Sequence, residues 1–134
     1  MQDLDLILLV ELNAVYRTAK ATVEAGDFDT GLELAENAWA RLPEPKFDWD
    51  ASKMYALALA ALYRDTQNYE KGEALMKELF ASGTVKPYQA EPYFMLGTIY
   101  FEMGDLQNAE KWLKDAHEIS KADASEINLK NIGR

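Results

Sequence analysis

Residues 90–116 read AEPYFMLGTIYFEMGDLQNAEKWLKDA. Tyr93, Leu96, Gly97 and Tyr100 fall on one face at i, i+3, i+4, i+7, the spacing of an amphipathic helix. Gly104 breaks that helix, because glycine accepts the left-handed conformation that closes one. Asp105 is placed to cap the next helix, which carries Ala109, Leu113 and Ala116. Two helices approach closely only where small side chains leave room. Gly97 and Ala109 are small at the expected crossing, and Ala116 is small where the pair would meet a neighbour. A mid-helix glycine costs about 1 kcal/mol relative to alanine, so Gly97 asks for a packing reason.

With small and large residues in this order, the stretch resembles the tetratricopeptide repeat (TPR) pattern W-x2-L-G-x2-Y…A-x3-F. The resemblance implies an all-α fold, a right-handed superhelical stack of helical hairpins. Working outward, the same register recurs. Gly26-Asp27 repeats Gly104-Asp105, which places Ala19 under Gly97, Gly31 under Ala109 and Ala38 under Ala116. Thr18 and Thr22 then stand where Leu96 and Tyr100 stand, as in a degenerate terminal repeat. Ala56, Leu59, Ala60 and Tyr63 align under Tyr93, Leu96, Gly97 and Tyr100, and Gly72, Met76 and Leu79 follow in the later positions. The register advances by 41 residues from Ala19 to Ala60 and by 37 from Ala60 to Gly97, against about 34 for a bare repeat. The surplus falls in the segment 42–50 and the loop 83–89. The expectation is one domain over 1–134, with repeats at about 4–43, 49–82 and 88–121 and a short C-terminal capping helix over 122–134. Ile127 and Leu129 lie on one side of that cap.

The connections carry their own signals. In LPEPKFDWD, residues 42–50, Pro43 stops a helix and Pro45 stiffens an extended run. Asp48 or Asp50 is expected to cap the next helix, with Trp49 folding back as a staple. The segment is either a packed linker or a contact loop. Gly83 is placed to close the fourth helix, and Pro92 sits early in the fifth, where proline is tolerated. At the start, Leu6 to Val10 is an apolar run behind Asp3 and Asp5. It lacks a basic flank and the length of a signal or membrane segment, and reads as the buried face of a first helix.

Fourteen Lys and Arg against 23 Asp and Glu leave a net charge of −9, and there is no cysteine. A thiolate metal site and a disulfide framework are therefore excluded. An acidic surface repels nucleic-acid backbone and anionic membrane and suits a basic protein partner, although acidity also serves solubility alone. Absence of cysteine fits the cytoplasm. No catalytic constellation is present. His117, the single histidine, has no motif around it. Asp27-x-Asp29-x-Gly31 begins like a calcium loop, but its glycine comes one residue early and Ala38 stands where the bidentate glutamate belongs. No phosphate loop, dinucleotide motif or His-Glu-x-x-His occurs. The reading is a non-enzyme without cofactor or metal.

TPR proteins bind partners in the concave groove lined by the first helix of each hairpin. The resemblance therefore implies that groove residues here are those of the first helices left free by packing. They are Asn13, Tyr16, Lys20 and Glu24; Leu57, Ala61, Arg64 and Asp65; and Glu91, Phe94, Thr98, Phe101 and Glu102. Tyr16, Leu57, Phe94 and Phe101 give an apolar floor, and Glu24, Asp65, Glu91 and Glu102 an acidic rim, which suits a basic or amphipathic protein partner. Phe94 and Phe101 could equally serve packing. The Lys, Asn and Arg set by which some TPR domains grip acidic chaperone C-termini is not matched: the corresponding places hold Glu91 and Met95 in the third hairpin and Tyr16 and Lys20 in the first, and of these four Lys20 alone is basic. The run 42–46, with Trp49, Ser52 and two TPR-like hairpins, is also similar to small bacterial TPR proteins encoded beside secreted polymorphic toxins. That likeness spans about 26–116 and implies a cytoplasmic immunity protein; the sequence after Ala116 departs from it. The alternative is a scaffold or secretion-chaperone adaptor that binds an amphipathic peptide.

Overall fold

Each turn of this chain is set by a short, polar sequence signal, and the helices between are set by where small residues permit contact. The computed structural model describes residues 3–132, with side chains described over 3–122. It contains α1 (Leu6–Glu24), α2 (Phe28–Ala40), a single 3-10 turn (Lys46–Asp48), α3 (Ser52–Asp65), α4 (Tyr69–Ala81), α5 (Glu91–Met103) and α6 (Leu106–Ile132). The described residues are helical with no strand. They divide into two units, residues 1–84 and 85–134.

The first unit is two hairpins, α1–α2 and α3–α4, joined through α2–α3 and α1–α3 packing. Asp5 caps α1 by accepting from the backbone N–H groups of Ile7 and Leu8, and Asp27 caps α2 by accepting from Thr30 N–H. Each satisfies helix-end donors that otherwise have no partner. Gly26 closes α1 at φ +97°, a conformation that costs an L side chain about 1–2 kcal/mol. The α1–α2 crossing is as tight as the small residues allow. Ala19 is fully buried, and a β-carbon on Gly31 would lie 2.9 Å from the Ala19 carbonyl oxygen. Leu12, Leu59, Met76 and Leu79 fill the core with Ala35, Ala38, Ala56 and Ala60 between them. The Tyr63 hydroxyl donates to Glu36 at 2.7 Å, and Lys71 Nζ lies 3.8 Å from the same carboxylate, so one acid ties α2 to α3 and α4.

The 42–50 connection is held from within. Lys46 Nζ donates to the carbonyls of Trp39 (3.0 Å) and Leu42 (3.2 Å), and Trp49 Nε1 donates to Pro43 O at 2.9 Å. Ser52 Oγ donates to Lys46 O, and the Phe47 ring lies against Trp39. Neither Asp48 nor Asp50 caps α3, contrary to the sequence expectation. Ala51 occupies the cap position with no side-chain bond, because the 3-10 turn and extended Trp49 deliver the chain with Ser52, not an aspartate, turned back onto it. Asp50 instead faces Asp3, whose carboxyl is raised by the hydrogen bond the two share and by their mutual repulsion.

A second correction concerns the apolar run at the start. Leu4 is buried, but Leu6 and Ile7 are each 71% exposed and Val10 58%. The buried direction of α1 is fixed by Leu12, Tyr16, Ala19 and Val23. At 3.6 residues per turn, Ile7 and Val10 project on the opposite side.

In the second unit, α5 and α6 form one hairpin. Gly104 closes α5 at φ +84°, and Asp105 accepts from Asn108 N–H at 3.2 Å to start α6. Gly97 is buried, and a β-carbon there would lie 2.7 Å from Leu113 Cγ and 3.1 Å from Leu113 N. Tyr93 packs against Trp112, with ring centroids 5.7 Å apart. The backbone of α6 runs unbroken to Ile132, through the segment expected as a separate cap. The side chains of that segment, Ile127 and Leu129 included, and residues 133–134 lie outside the described residues.

Candidate functional site

Two surfaces collect the residues singled out from the sequence, one in each unit. In the first, helices α1 and α3 leave a cleft of about 300 Å³ lined by Tyr16, Arg17, Lys20, Ala58, Ala61, Leu62 and Asp65. Tyr16 is only 7% exposed and stacks on Tyr55, with centroids 4.8 Å apart and planes 8° apart. It is thus a wall of the cleft and part of the core at once. The Tyr55 hydroxyl donates to Asn13 Oδ1 at 2.7 Å, whereas the buried Tyr16 hydroxyl makes no hydrogen bond. Burial pushes the Tyr16 phenol well above its ordinary value, with Tyr55 and Tyr63 adding to the shift; burial also raises Tyr55. Tyr63 is raised by burial and by its bond to Glu36.

The structure therefore brings Tyr16, Lys20 and Asp65 together. Glu24 and Leu57 stand outside this lining, Glu24 exposed and Leu57 half-buried. Arg64 turns along its own helix, its Nε 3.2 Å from Asp65 Oδ1. Arg17, Ala58 and Leu62 were missed by sequence reasoning. Arg17 is adjacent to Tyr16 and one turn before Lys20, so its place on that edge was available from helical spacing. Ala61, read from the sequence as a groove residue, does line the cleft; Ala58 gave no signal, because nothing in the sequence distinguishes a small side chain beneath a neighbour from one beneath a cleft.

In the second unit, Glu91, Phe94, Thr98 and Phe101 recur at i, i+3, i+7, i+10 on one side of α5. Phe94 is 54% exposed and Phe101 59%, and Glu91 and Glu102 are exposed beside them. The opposite side of α5, with Leu96, Gly97 and Tyr100, is buried. The seven-residue interval sets the two phenyl rings about 10 Å apart along the axis. Among the described residues no group of three or more His, Cys, Asp or Glu could hold a metal ion, and no helix is long and apolar enough to cross a membrane.

A family model described as tetratricopeptide repeat matches residues 50–122. The chain belongs to the tetratricopeptide repeat family. Among curated proteins and solved structures, none matches it. TPR repeats as a class mediate contacts between proteins, and the α5 face and α1–α3 cleft belong to the first helices of this TPR protein's hairpins.

Proposed function

We propose that this TPR chain is a non-enzymatic binding module that takes a basic, partly apolar polypeptide on the exposed face of α5. The observation that carries the reading is the pair Phe94 and Phe101, each more than half exposed, with Glu91 and Glu102 beside them. Aromatic side chains offer large contact area with few torsions to freeze, which is why they anchor interfaces. The carboxylates add attraction for a cationic partner and speed its approach. The 42–50 connection is the weaker candidate for a contact, because its polar groups are already engaged within the loop.

A toxin domain that acts on nucleic acid fits the description, since a surface that holds a polyanion must be basic. By covering it, an acidic protein of the bacterial cytoplasm would confer immunity, the role implied by the likeness over residues 26–116. The test is to pair the purified chain with the product of the adjacent reading frame. We expect a complex at micromolar concentration and protection of cells that produce the partner, both lost in a Phe94→Ala/Phe101→Ala variant. No complex and no protection would remove the immunity reading. The second reading, an adaptor for an amphipathic helix, rests on the same two rings and predicts binding that is insensitive to salt.

A further inference from the structure

The face of α1 that turns away from the core has a counterpart in α3. Aligned on Ala19 and Ala60, residues Ala14, Thr18 and Ala21 of α1 stand where Tyr55, Leu59 and Leu62 stand in α3. Those three are buried, and Tyr55 stacks on Tyr16 of the preceding hairpin. On α1 the same positions are exposed. This helix is also longer, 19 residues against 14 in α3, and its additional first turns carry the exposed Leu6, Ile7 and Val10. Polar groups on the face are already used. The hydroxyls of Thr18 and Thr22 donate to the carbonyls of Ala14 (3.0 Å) and Thr18 (2.7 Å), so covering them strands no donor. Arg17, Thr18, Ala21 and Thr22 border an open hollow of about 570 Å³. One face thus has large apolar side chains in its first half and a hollow over small ones in its second, about 16 Å apart along the axis, with Ala14 midway. Charge divides the same way. Asp3, Asp5 and Glu11 lie in the first half with no base, and Arg17 and Lys20 lie in the second against Glu24.

We propose that α1 pairs with α1 of a second copy of this chain, antiparallel about a two-fold axis at Ala14, so that Leu6, Ile7 and Val10 of each copy seat in the hollow of the other. The antiparallel arrangement sets the acidic half of each helix against the basic half of its partner and opposes the two helix dipoles. Ala14 lets the backbones approach, and a two-fold contact closes on itself. One helix face is smaller than a standard interface of about 800 Å² per partner, and nine excess acids on each copy oppose association, so the dimer is of the weak, reversible class. It uses no residue of the α5 face, and loss of either contact leaves the other intact. The experiment is sedimentation equilibrium on the full-length chain over a range of concentrations. A monomer–dimer equilibrium with a dissociation constant of about 100 µM is expected. Ile7→Glu/Val10→Glu and, separately, Ala21→Arg change only exposed positions. Each should weaken the dimer about tenfold or more, by burying a charge without a partner, with helical circular dichroism unchanged. Because the chain has no cysteine, single cysteines report the geometry. On mild oxidation Ala14→Cys should form a disulfide-linked dimer and Ile7→Cys should not, since antiparallel copies hold the two positions 7 about 20 Å apart. Equal linking at both positions, which would make the copies parallel, overturns the proposal. So does a monomer at every concentration, a mass that climbs past the dimer as in head-to-tail growth, or a dimer indifferent to both charged variants.

Discussion

A β-carbon on Gly31 would sit 2.5 Å from Val23 Cγ2 and 2.9 Å from the Ala19 carbonyl oxygen; one on Gly97 would meet the Leu113 side chain at 2.7 Å and backbone only at 3.1 Å, at Leu113 N. A side-chain tip can turn away and a helix backbone cannot. Overpacking of this kind costs about 1–3 kcal/mol, offset by about 1 kcal/mol of improved helix propensity. Gly31→Ala is therefore expected to destabilise more than Gly97→Ala, with urea midpoints as the measure. The tyrosines give a second contrast. Tyr55→Phe removes the bond to Asn13 and strands a part-buried amide oxygen, at a cost of about 1 kcal/mol. Tyr16→Phe removes a hydroxyl that bonds to nothing and should leave stability unchanged or slightly raised. Equal losses from the two would contradict the assignment of these hydroxyls.

Helix positions were legible because turn chemistry and small-residue spacing are local. Gly26-Asp27 and Gly104-Asp105 announce both a left-handed stop and an acid cap, and Ala19, Ala60 and Gly97 are all buried as their register requires. What failed was what periodicity does not encode. The residues Leu6 to Val10 are consecutive apolar ones, so they carry no phase, and the exposure of Leu6, Ile7 and Val10 is decided by Leu12 and Tyr16 further along. The cap of α3 depended on a three-residue turn whose geometry no pattern announces. Of the groove residues, spacing placed Lys20, Asp65, Phe94 and Phe101 on the first helices. It could not show that Tyr16 is mostly spent on Tyr55, nor that Ala58 underlies open space. The α1–α3 tyrosine layer also sets an alkaline limit on the fold. Tyr16 and Tyr63 have phenols raised above the ordinary value of 10.0. A raised folded value means the folded state holds its proton more tightly. That stability is complete below pH 10 and is lost as pH climbs past it. Phenolate absorbance from these two should therefore appear together with loss of helical circular dichroism, and a Tyr16→Phe/Tyr63→Phe variant should lack that component.

At the scale of the whole chain, nine excess acids make association, more than residence, the quantity that salt controls. If the partner is basic, its on-rate should fall about tenfold or more between low and physiological ionic strength while the off-rate changes little. Surface plasmon resonance at several salt concentrations separates the two, and a salt-independent on-rate would favour the adaptor reading. The three indoles are distributed between the units: Trp39 and Trp49 bracket the first connection, and Trp112 lies against Tyr93 in the second. Trp112→Phe would leave indole fluorescence from residues 1–84 alone, and Trp39→Phe/Trp49→Phe would leave it from 85–134 alone. The molecule thus contains its own pair of optical probes, with which melting at one end of the chain can be timed against melting at the other.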